Sequence, residues 1–440
     1  MKINNKKTQA ILMSRLFIFF ILLPSITNSQ ILLSSEEAIA IALKENYGIQ
    51  IADLQATAEA MQVYKSNAGF GPTVDLNGSL GLTGNYINQS FVDGRKLNRF
   101  GRVYNPNINI SVAMTLYDGG EMQAIYDQLE LTSELTQLQG KITIQNTVVQ
   151  VMQTYYDIVR HKKTVDYLNA IIQYYDERLK ITEERWKVGQ GSKIDFLQSQ
   201  TDKNAQLSSL VTAKNNLKNA KVLMNGLLNR SPSLDFEVDV TNTTPIAYEL
   251  SELLTIAQDQ NREVLILQKS LELSKKEEVE ITATRKPQVN LGGSIGYNYN
   301  NTNAGFLLSN QTFFATAGVT ATWRLYDGHD RKNQIAIAEV NTHIIEKQQE
   351  QLDAQIENDL TFAYNRYTAD QELLAFEEAN KSIADENLSI SLKKFRLGAS
   401  TILELNEAQE SYDTALNRLV EAQYNVKLSE LELLRLSGIL

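Results

Sequence analysis

Cysteine is absent from this chain of 440 residues, and its absence excludes several designs. No disulfide can hold the fold together, and no thiol can act as a nucleophile, a metal ligand or the attachment point of a lipid. Histidine is scarce as well, because His161, His329 and His343 stand far apart without metal-ligand spacing. We therefore expect no catalytic residues, no metal site, no cofactor and no enzymatic activity.

An excess of positive charge is also missing. The chain carries 42 Lys+Arg against 52 Asp+Glu, a formal net charge of −10. Proteins that bind nucleic acid present a basic face to its phosphates, so we expect no nucleic-acid partner.

Long apolar runs are confined to the N-terminus. Basic residues precede the apolar stretch 16–23, and Pro24 and small polar residues lead from it to Ser29. This order is typical of a secretory signal peptide, so residues 1–29 are predicted to be removed on export. No later run reaches eighteen apolar residues, so no transmembrane helix is expected after residue 29.

Proline is rare, and it is missing from two long stretches. From Asp118 to about Val188, and from Asp327 to about Leu397, there is no proline and little glycine. Seventy helical residues would extend ~105 Å, far beyond an ordinary globular helix. Asp118 and Asp327 are predicted to cap these helices, and glycines at 189 and 398 to supply the left-handed turn where each reverses. Heptad spacing in the segments that follow predicts coiled-coil packing: Leu210, Ala213, Leu217, Ala220, Met224 and Leu227, and Leu405, Ala408, Tyr412, Ala415, Leu419, Ala422 and Val426.

The same organisation occurs twice along the chain. The letters LYDGG at 116–120 return as LYDGH at 325–329, a displacement of 209 positions. We therefore predict two structural repeats, at 30–235 and 236–440, each with a leading helix, two strands, a long helix, a turn and a further helix. The leading helices are predicted at 34–69 and 251–284.

Four short segments alternate apolar and polar residues, two in each repeat. Alternation over about ten residues fits a membrane-spanning strand, and it fits a soluble sandwich strand with one wet face equally well. The matched pairs favour the first interpretation. Between the first two strands, 87–106 is predicted to be a basic loop, either simply solvated or facing anionic lipopolysaccharide. The apolar positions are Val74, Leu76, Leu80 and Leu82; Ile108, Ile110, Val112, Met114 and Leu116; Val289, Leu291, Ile295 and Tyr297; and Val319, Ala321, Trp323 and Leu325.

Four strands cannot close a barrel by themselves, and an open edge in lipid leaves backbone groups unpaired. Three copies would supply twelve strands, an even number within the usual range. The predicted fold class is mostly α with a small β part. Long antiparallel coiled-coil hairpins form a periplasmic α-barrel, and four strands per chain contribute to a shared 12-stranded transmembrane β-barrel in a homotrimer.

Several of these motifs, in this order and in both halves, resemble the TolC-like outer membrane efflux family. They are Asn46 after an Ala-Leu pair, proline before a short strand, the LYDG strand exit, and the turns RWKVG at 185–189 and KFRLG at 394–398. The resemblance implies a homotrimeric exit duct in the outer membrane of a Gram-negative bacterium, extending into the periplasm. It also implies a periplasmic adaptor and an inner-membrane transporter as partners, in efflux or type I secretion. The alternative is a periplasmic coiled-coil scaffold or adaptor without a membrane barrel; the cargo cannot be read from the sequence.

The resemblance also suggests site residues. Glu404 and Glu407 follow Gly398 by six and nine residues, where the family places the carboxylates of its pore constriction, and Asp195 is the matching gate position in the first repeat. The alternative is a pair of solvated acids on a polar helix face. Ser400 stands where the family has an arginine used in closed-state contacts. The turn residues resemble tips that dock an adaptor, although simple turn chemistry needs the same residue types: Val188, Gly189, Gly191, Ser192, Leu397, Gly398, Ala399, Ser400 and Thr401.

Overall fold

The computed structural model describes residues 31–240, 246–304 and 307–440, so the predicted signal peptide lies outside the described residues. In chain order the elements are β1 (Ile31–Leu33), α1 (Ser35–Glu45), α2 (Tyr47–Gln62), β2 (Thr73–Ser90), β3 (Lys96–Tyr117), α3 (Glu121–Lys187), α4 (Lys193–Leu227), β4 (Phe236–Val238), α5 (Leu250–Gln260), α6 (Arg262–Ala283), β5 (Gln288–Thr302), β6 (Ser309–Thr322), α7 (Asp330–Arg396) and α8 (Ile402–Ser437).

The two long helices dominate the chain. α3 and α7 have 67 residues each, and each reverses into a shorter helix of 35 or 36 residues, so the predicted hairpins are confirmed. The predicted N-caps are wrong. Gly120 and His329, both in the left-handed conformation, precede the first helical residues, so each helix begins two residues later than expected. Asp118 still accepts hydrogen bonds from the backbone at Gly120 and Met122, at 3.0 and 2.6 Å.

Each leading helix is broken in two, which the sequence analysis did not predict. Asn46 and Asn261 are extended (φ −69° and −62°), and each separates two helices. The side chain of each asparagine accepts hydrogen bonds from the backbone N–H groups two and three residues later. The side-chain oxygen thereby satisfies donors that a continuous helix would satisfy through its own carbonyls, so the break is stable.

The four long strands form one antiparallel sheet in the order β2-β3-β5-β6. The predicted loop at 87–106 is mostly strand, because β2 and β3 stay paired as far as Ser90 and Lys96 and leave only 91–95 as the turn. Period-two alternation fades there, since polar residues occupy both faces, and that is why the pattern missed the strand ends. β6 ends at Thr322, three residues earlier than predicted.

The two faces of this sheet differ in chemistry. Leu76 lies opposite Ile110, which lies opposite Ile295, and all three are exposed on one face. The other face carries amides and hydroxyls such as Ser294 and Thr316, whose side-chain oxygens are 2.8 Å apart. Away from the turn at 91–95, the sheet therefore has one apolar and one polar surface.

The helices pack side by side in one order. α3 lies between α2 and α4 on one flank and α6 and α8 on the other, and α7 packs beyond α6 and α8. One core on these helices includes the parallel pair of β1 with β4, since Leu33, Phe236 and Val238 belong to it. No helix in the described part of the chain is both long and apolar enough to span a membrane.

The division between the two repeats remains a prediction. The long helices keep the displacement of 209 positions from start to end. β4 lies just after the predicted boundary, yet Phe236 and Val238 pack in the core of the first half.

Candidate functional site

The two hairpin turns begin the candidate site. Gly189 and Gly398 adopt φ of 75° and 76°, the left-handed conformation that glycine adopts most easily. Ser192 then accepts a hydrogen bond from the backbone of Ile194 at 3.1 Å, and Thr401 accepts one from Glu404 at 3.3 Å, so each hydroxyl caps a returning helix. The predicted turn chemistry is therefore present in both turns.

Most of the predicted docking residues lie at the surface. Residues 188–192, 397–399 and Thr401 are exposed, and Ser400 is half-buried. Val188 and Leu397, exposed by 68% and 82%, are the large apolar side chains of the two tips. Apolar groups at such exposure favour burial against another surface, but the docking role itself remains a prediction.

Two arginines join the tips to each other. The guanidinium of Arg185, at the end of α3, donates to the carbonyl of Phe395 at the end of α7, and lies 4.6 Å over that ring. Arg396 forms an ion pair with Glu177 in the opposite direction, from α7 to α3. Both turns are therefore held at the same end of the molecule.

The three predicted gate residues lie in the first two turns of the returning helices. Glu404 and Glu407 are exposed on α8, three residues apart and hence on one face, whereas Asp195 is half-buried on α4. The structure thus brings Glu404 and Glu407 together on one surface, with Asp195 on the other hairpin of the same end. Within the described residues no hydrogen bond links Asp195 to either glutamate.

Ser400 contacts one of the predicted gate residues. Its hydroxyl donates to the carboxylate of Glu404 at 2.7 Å. A serine hydroxyl carries no charge, so this contact orients the carboxylate without adding a positive group beside it. The arginine that reaches the first hairpin from this turn is Arg396, two residues before the glycine.

Glu407 also lines a groove between α7 and α8 of about 560 Å³. Glu377 and Glu410 add two more acids to its lining, and Arg418 is the basic residue there. The excess of acids gives this end of the groove a negative field, which favours cations.

One residue of the site was missed by the sequence analysis. Arg178 on α3 is only 1% exposed, and it donates to Asp202 on α4 and to Asn406 and Gln409 on α8. A signal was present, because Ile171, Tyr175, Arg178 and Thr182 follow heptad spacing and all four are buried. A charge at a core position of a coiled coil indicates a specific partner.

In the described ranges no group of three or more His, Asp or Glu side chains is placed to hold a metal ion. The tips present exposed carboxylates, two helix turns and an ion pair between α3 and α7.

Comparison with known proteins identifies the architecture. The sequence model of the family described as "Outer membrane efflux protein" matches residues 38–230 and 253–439. The chain belongs to the outer membrane efflux protein family. Among curated relatives, Outer membrane protein TolC of Vibrio cholerae is 24% identical over 350 residues, which cover 75% of this chain and 76% of the relative.

Solved structures of outer membrane proteins have the same fold. The outer membrane protein VceC of Vibrio cholerae superimposes with a TM-score of 0.73 at 15% identity, covering 92% of this chain and 96% of the other. The CmeC outer membrane channel of Campylobacter jejuni gives 0.73 at 14% identity, covering 92% and 85%. The predicted family, the outer-membrane location and the channel function are confirmed, and the alternative of a periplasmic scaffold is not favoured.

Proposed function

We propose that three copies of this efflux protein close into one ring, a homotrimeric exit duct without enzymatic turnover that works with a periplasmic adaptor and an inner-membrane transporter. The observation that carries the proposal is that sheet and helical wall both end in unpaired edges, on matching sides. β2 continues from α2, and β6 leads into α7, so each open strand lies on the same flank as an open helix.

The strand edges call for a partner. β2 and β6 have 18 and 14 residues, and each pairs on one side only in the part of the chain that the structure describes. Long unpaired edges leave rows of backbone donors and acceptors that readily pair with another chain. Pairing β6 of one copy with β2 of the next satisfies both edges, and three copies give twelve strands.

The helical edges carry exposed apolar side chains at heptad-like spacing, which favours helix-to-helix packing. α2 and α4 form one edge and α7 forms the other. On the first edge these side chains are Tyr47, Ile51, Leu54, Met61, Leu197, Val211 and Val222; on the second they are Ile337, Val340, Ile344, Phe376, Ile383 and Ile390.

The sheet has the surface chemistry of a lipid-facing wall. Its apolar face suits the hydrocarbon of the outer membrane, and its polar face suits a water-filled lumen. Aromatic pairs near the end of the sheet farthest from the helices, Tyr86 with Phe100 and Tyr104 with Tyr299, fit the girdle at a membrane interface.

At the other end, Glu404 and Glu407 of three copies would form two stacked carboxylate rings, with Asp195 beside them on the first hairpin. Six carboxylates around one axis attract cations and select for cationic cargo. The exposed tips around Gly189 and Gly398 are the docking points proposed for the adaptor.

Two measurements test the proposal. Light scattering of the detergent-extracted protein should give the mass of three chains, and a monomer would contradict the ring. In planar bilayers, Glu404→Gln with Glu407→Gln should shift the reversal potential in a salt gradient toward weaker cation preference. Glu350→Gln, an exposed acid far along α7, is the control; reversal potentials that match in both variants would contradict the carboxylate rings.

A further inference from the structure

Arg178 is the largest fully buried side chain in the described part of the molecule. A guanidinium at that depth needs partners for its donors, because burial of an unpaired charge is strongly unfavourable. Its partners come from both hairpins. We call Arg178, Asp202, Asn406 and Gln409 the Arg178 cluster.

The cluster joins three helices. Arg178 stands on α3, where its guanidinium also lies 5.2 Å from the ring centre of Tyr175. Its ion-pair partner Asp202 stands on α4 and accepts a second hydrogen bond from Gln198 at 2.7 Å. The guanidinium of Arg178 also donates to two side-chain oxygens on α8, those of Asn406 and of Gln409, the latter at 2.7 Å.

The acceptors on α8 determine which way that helix faces. Asn406 and Gln409 are three residues apart and share one face, and Glu404 and Glu407 share another in the same way. The two faces are offset by two residues, which is about 200° around a helix of 3.6 residues per turn. Binding of the first face to Arg178 therefore directs the two glutamates away from the core, and both are indeed exposed.

The duplicated half lacks this arrangement. The position 209 residues after Arg178 is Asn387, which is exposed on α7. The cluster is therefore not a general requirement of the hairpin, and it occurs only where α3 meets the helix that carries the glutamates.

We propose that Arg178 is a positioning residue for the pore constriction: by binding Asn406 and Gln409 it fixes the rotation of the first turns of α8 and thus the direction of Glu404 and Glu407. The proposal rests on the constriction role proposed above for these glutamates. Asp202 holds the guanidinium in place from α4, so both hairpins contribute to the same contact.

The absence of cysteine makes a direct test possible, because spin labels attach only where cysteines are introduced. The two labels are attached to cysteines introduced at exposed positions, Leu403→Cys on α8 and Ala170→Cys on α3. Residue 170 lies about 25 Å along α3 from the turn. Labelled chains are diluted with unlabelled ones, so that pulsed electron resonance reports distances within one chain.

We expect Arg178→Gln to broaden the distance distribution and to displace its maximum. Arg178→Lys, which keeps the charge but has no guanidinium fork, should fall between Arg178→Gln and the parent. Because loss of a buried charge can prevent folding, the combination Asn406→Ala with Gln409→Met provides a second test. It keeps the ion pair of Arg178 with Asp202 and removes only the acceptors on α8, and it should broaden the distribution as well. Asn387→Gln is the matched control and should leave the distribution unchanged.

Ion selectivity separates this proposal from the one on which it rests. The label distances do not depend on whether the glutamates select ions. Broadened distributions in Arg178→Gln and in the double variant support the positioning role, and distributions that stay as narrow as the parent in both overturn it. Reversal potentials that do not respond to Glu404→Gln with Glu407→Gln overturn the constriction role instead, and with it the functional meaning of the cluster.

Discussion

Asn261 joins two stacked helices, and its replacement by alanine should show how much that junction contributes. Its side-chain oxygen accepts hydrogen bonds from the backbone of Glu263 and Val264 at the start of α6, at 2.9 and 3.4 Å. Its side-chain nitrogen donates to the carbonyl of Leu436 at the end of α8, at 2.9 Å. Asn261 is 7% exposed, so water cannot easily replace these bonds.

The expected loss of stability at the junction is the sum of the contributions of these contacts. Removing an asparagine N-cap costs about 1 kcal/mol. Removing the donor to Leu436 costs about 1–2 kcal/mol more, because a buried carbonyl then lacks a partner. We expect Asn261→Ala to lower the free energy of opening this junction by roughly 2–3 kcal/mol. This corresponds to local opening that is roughly 30- to 150-fold more frequent.

Hydrogen exchange measured by mass spectrometry on the detergent-solubilised protein reports this opening. Peptides covering the start of α6 and the end of α8 should both exchange faster in Asn261→Ala. Asn261→Ser separates the two contributions, because serine is an equally good cap but cannot reach Leu436. The serine variant should protect α6 nearly as well as the parent and leave the end of α8 less protected.

Asn46 provides the comparison within the same chain. It makes the matching bonds, to Gly48 and Ile49 and to the carbonyl of Leu227 at 2.9 Å, but it is only partly buried. Water can replace part of what Asn46→Ala removes, so its effect should be smaller. Equal protection of α6 in the serine and alanine variants of residue 261 would refute the reasoning from capping.

Three further outcomes follow from the geometry. Gly438→Asn should lower the melting temperature, because a Cβ there would lie 2.8 Å from backbone atoms at the end of α5. Asn229 occupies the matching left-handed position in the first half, and Asn229→Gly should change the melting temperature little. Differential scanning calorimetry compares the two variants. Burial raises the pKa of Asp413, so Asp413→Asn should be more stable than the parent at pH 7, with a gain that disappears as the pH falls toward about 4; thermal melts between pH 4 and 8 that run parallel would contradict this. A hydrogen bond from Lys276 lowers the pKa of Asp127, so Asp127→Asn should be less stable than the parent at neutral pH, with a deficit that vanishes as the pH falls below about 4; the same melts, extended to pH 3, check it.

Much of the architecture could be predicted from the sequence, because long-range periodicity has a direct physical cause. A helix of 67 residues requires the absence of proline over that length, and coiled-coil packing requires the heptads that buried Leu405, Ala408 and Tyr412 show. The strand pairs were visible wherever one face is apolar and the other polar. Where both faces become polar, near the turn at 91–95, the alternation disappears and the strands were missed.

The helix breaks could not be predicted from periodicity. Asparagine, the residue at both breaks (Asn46 and Asn261), is tolerated inside helices and gives no clear stop signal. Their effect depends on carbonyls of Leu227 and Leu436, which are about 175 to 181 positions away in the sequence. Only the fold brings these partners together, so these contacts are tertiary, whereas the caps that accompany each break are local.

The candidate site also has local features, which the sequence could suggest, and tertiary features, which it could not. The turns at Gly189 and Gly398 and the spacing of Glu404 and Glu407 are local, so sequence alone suggested them. The direction in which the glutamates face depends on Arg178, whose partners lie on two other helices. A local pattern can suggest the charged residues of the proposed constriction, but only packing determines the direction in which their side chains point.

Comparison of the two duplicated halves separates features that the hairpin needs from features that it does not need. Features that the two halves share, such as the asparagine junctions and the left-handed glycines, serve the hairpin itself, because each half needs them to fold. Features present in one half, namely Arg178 where the other half has Asn387, and Glu407 where the other half has Gln198, are not required by the hairpin. They lie together at one end, where α3 meets α8, and this asymmetry of the duplicated chain coincides with the position proposed above for the constriction.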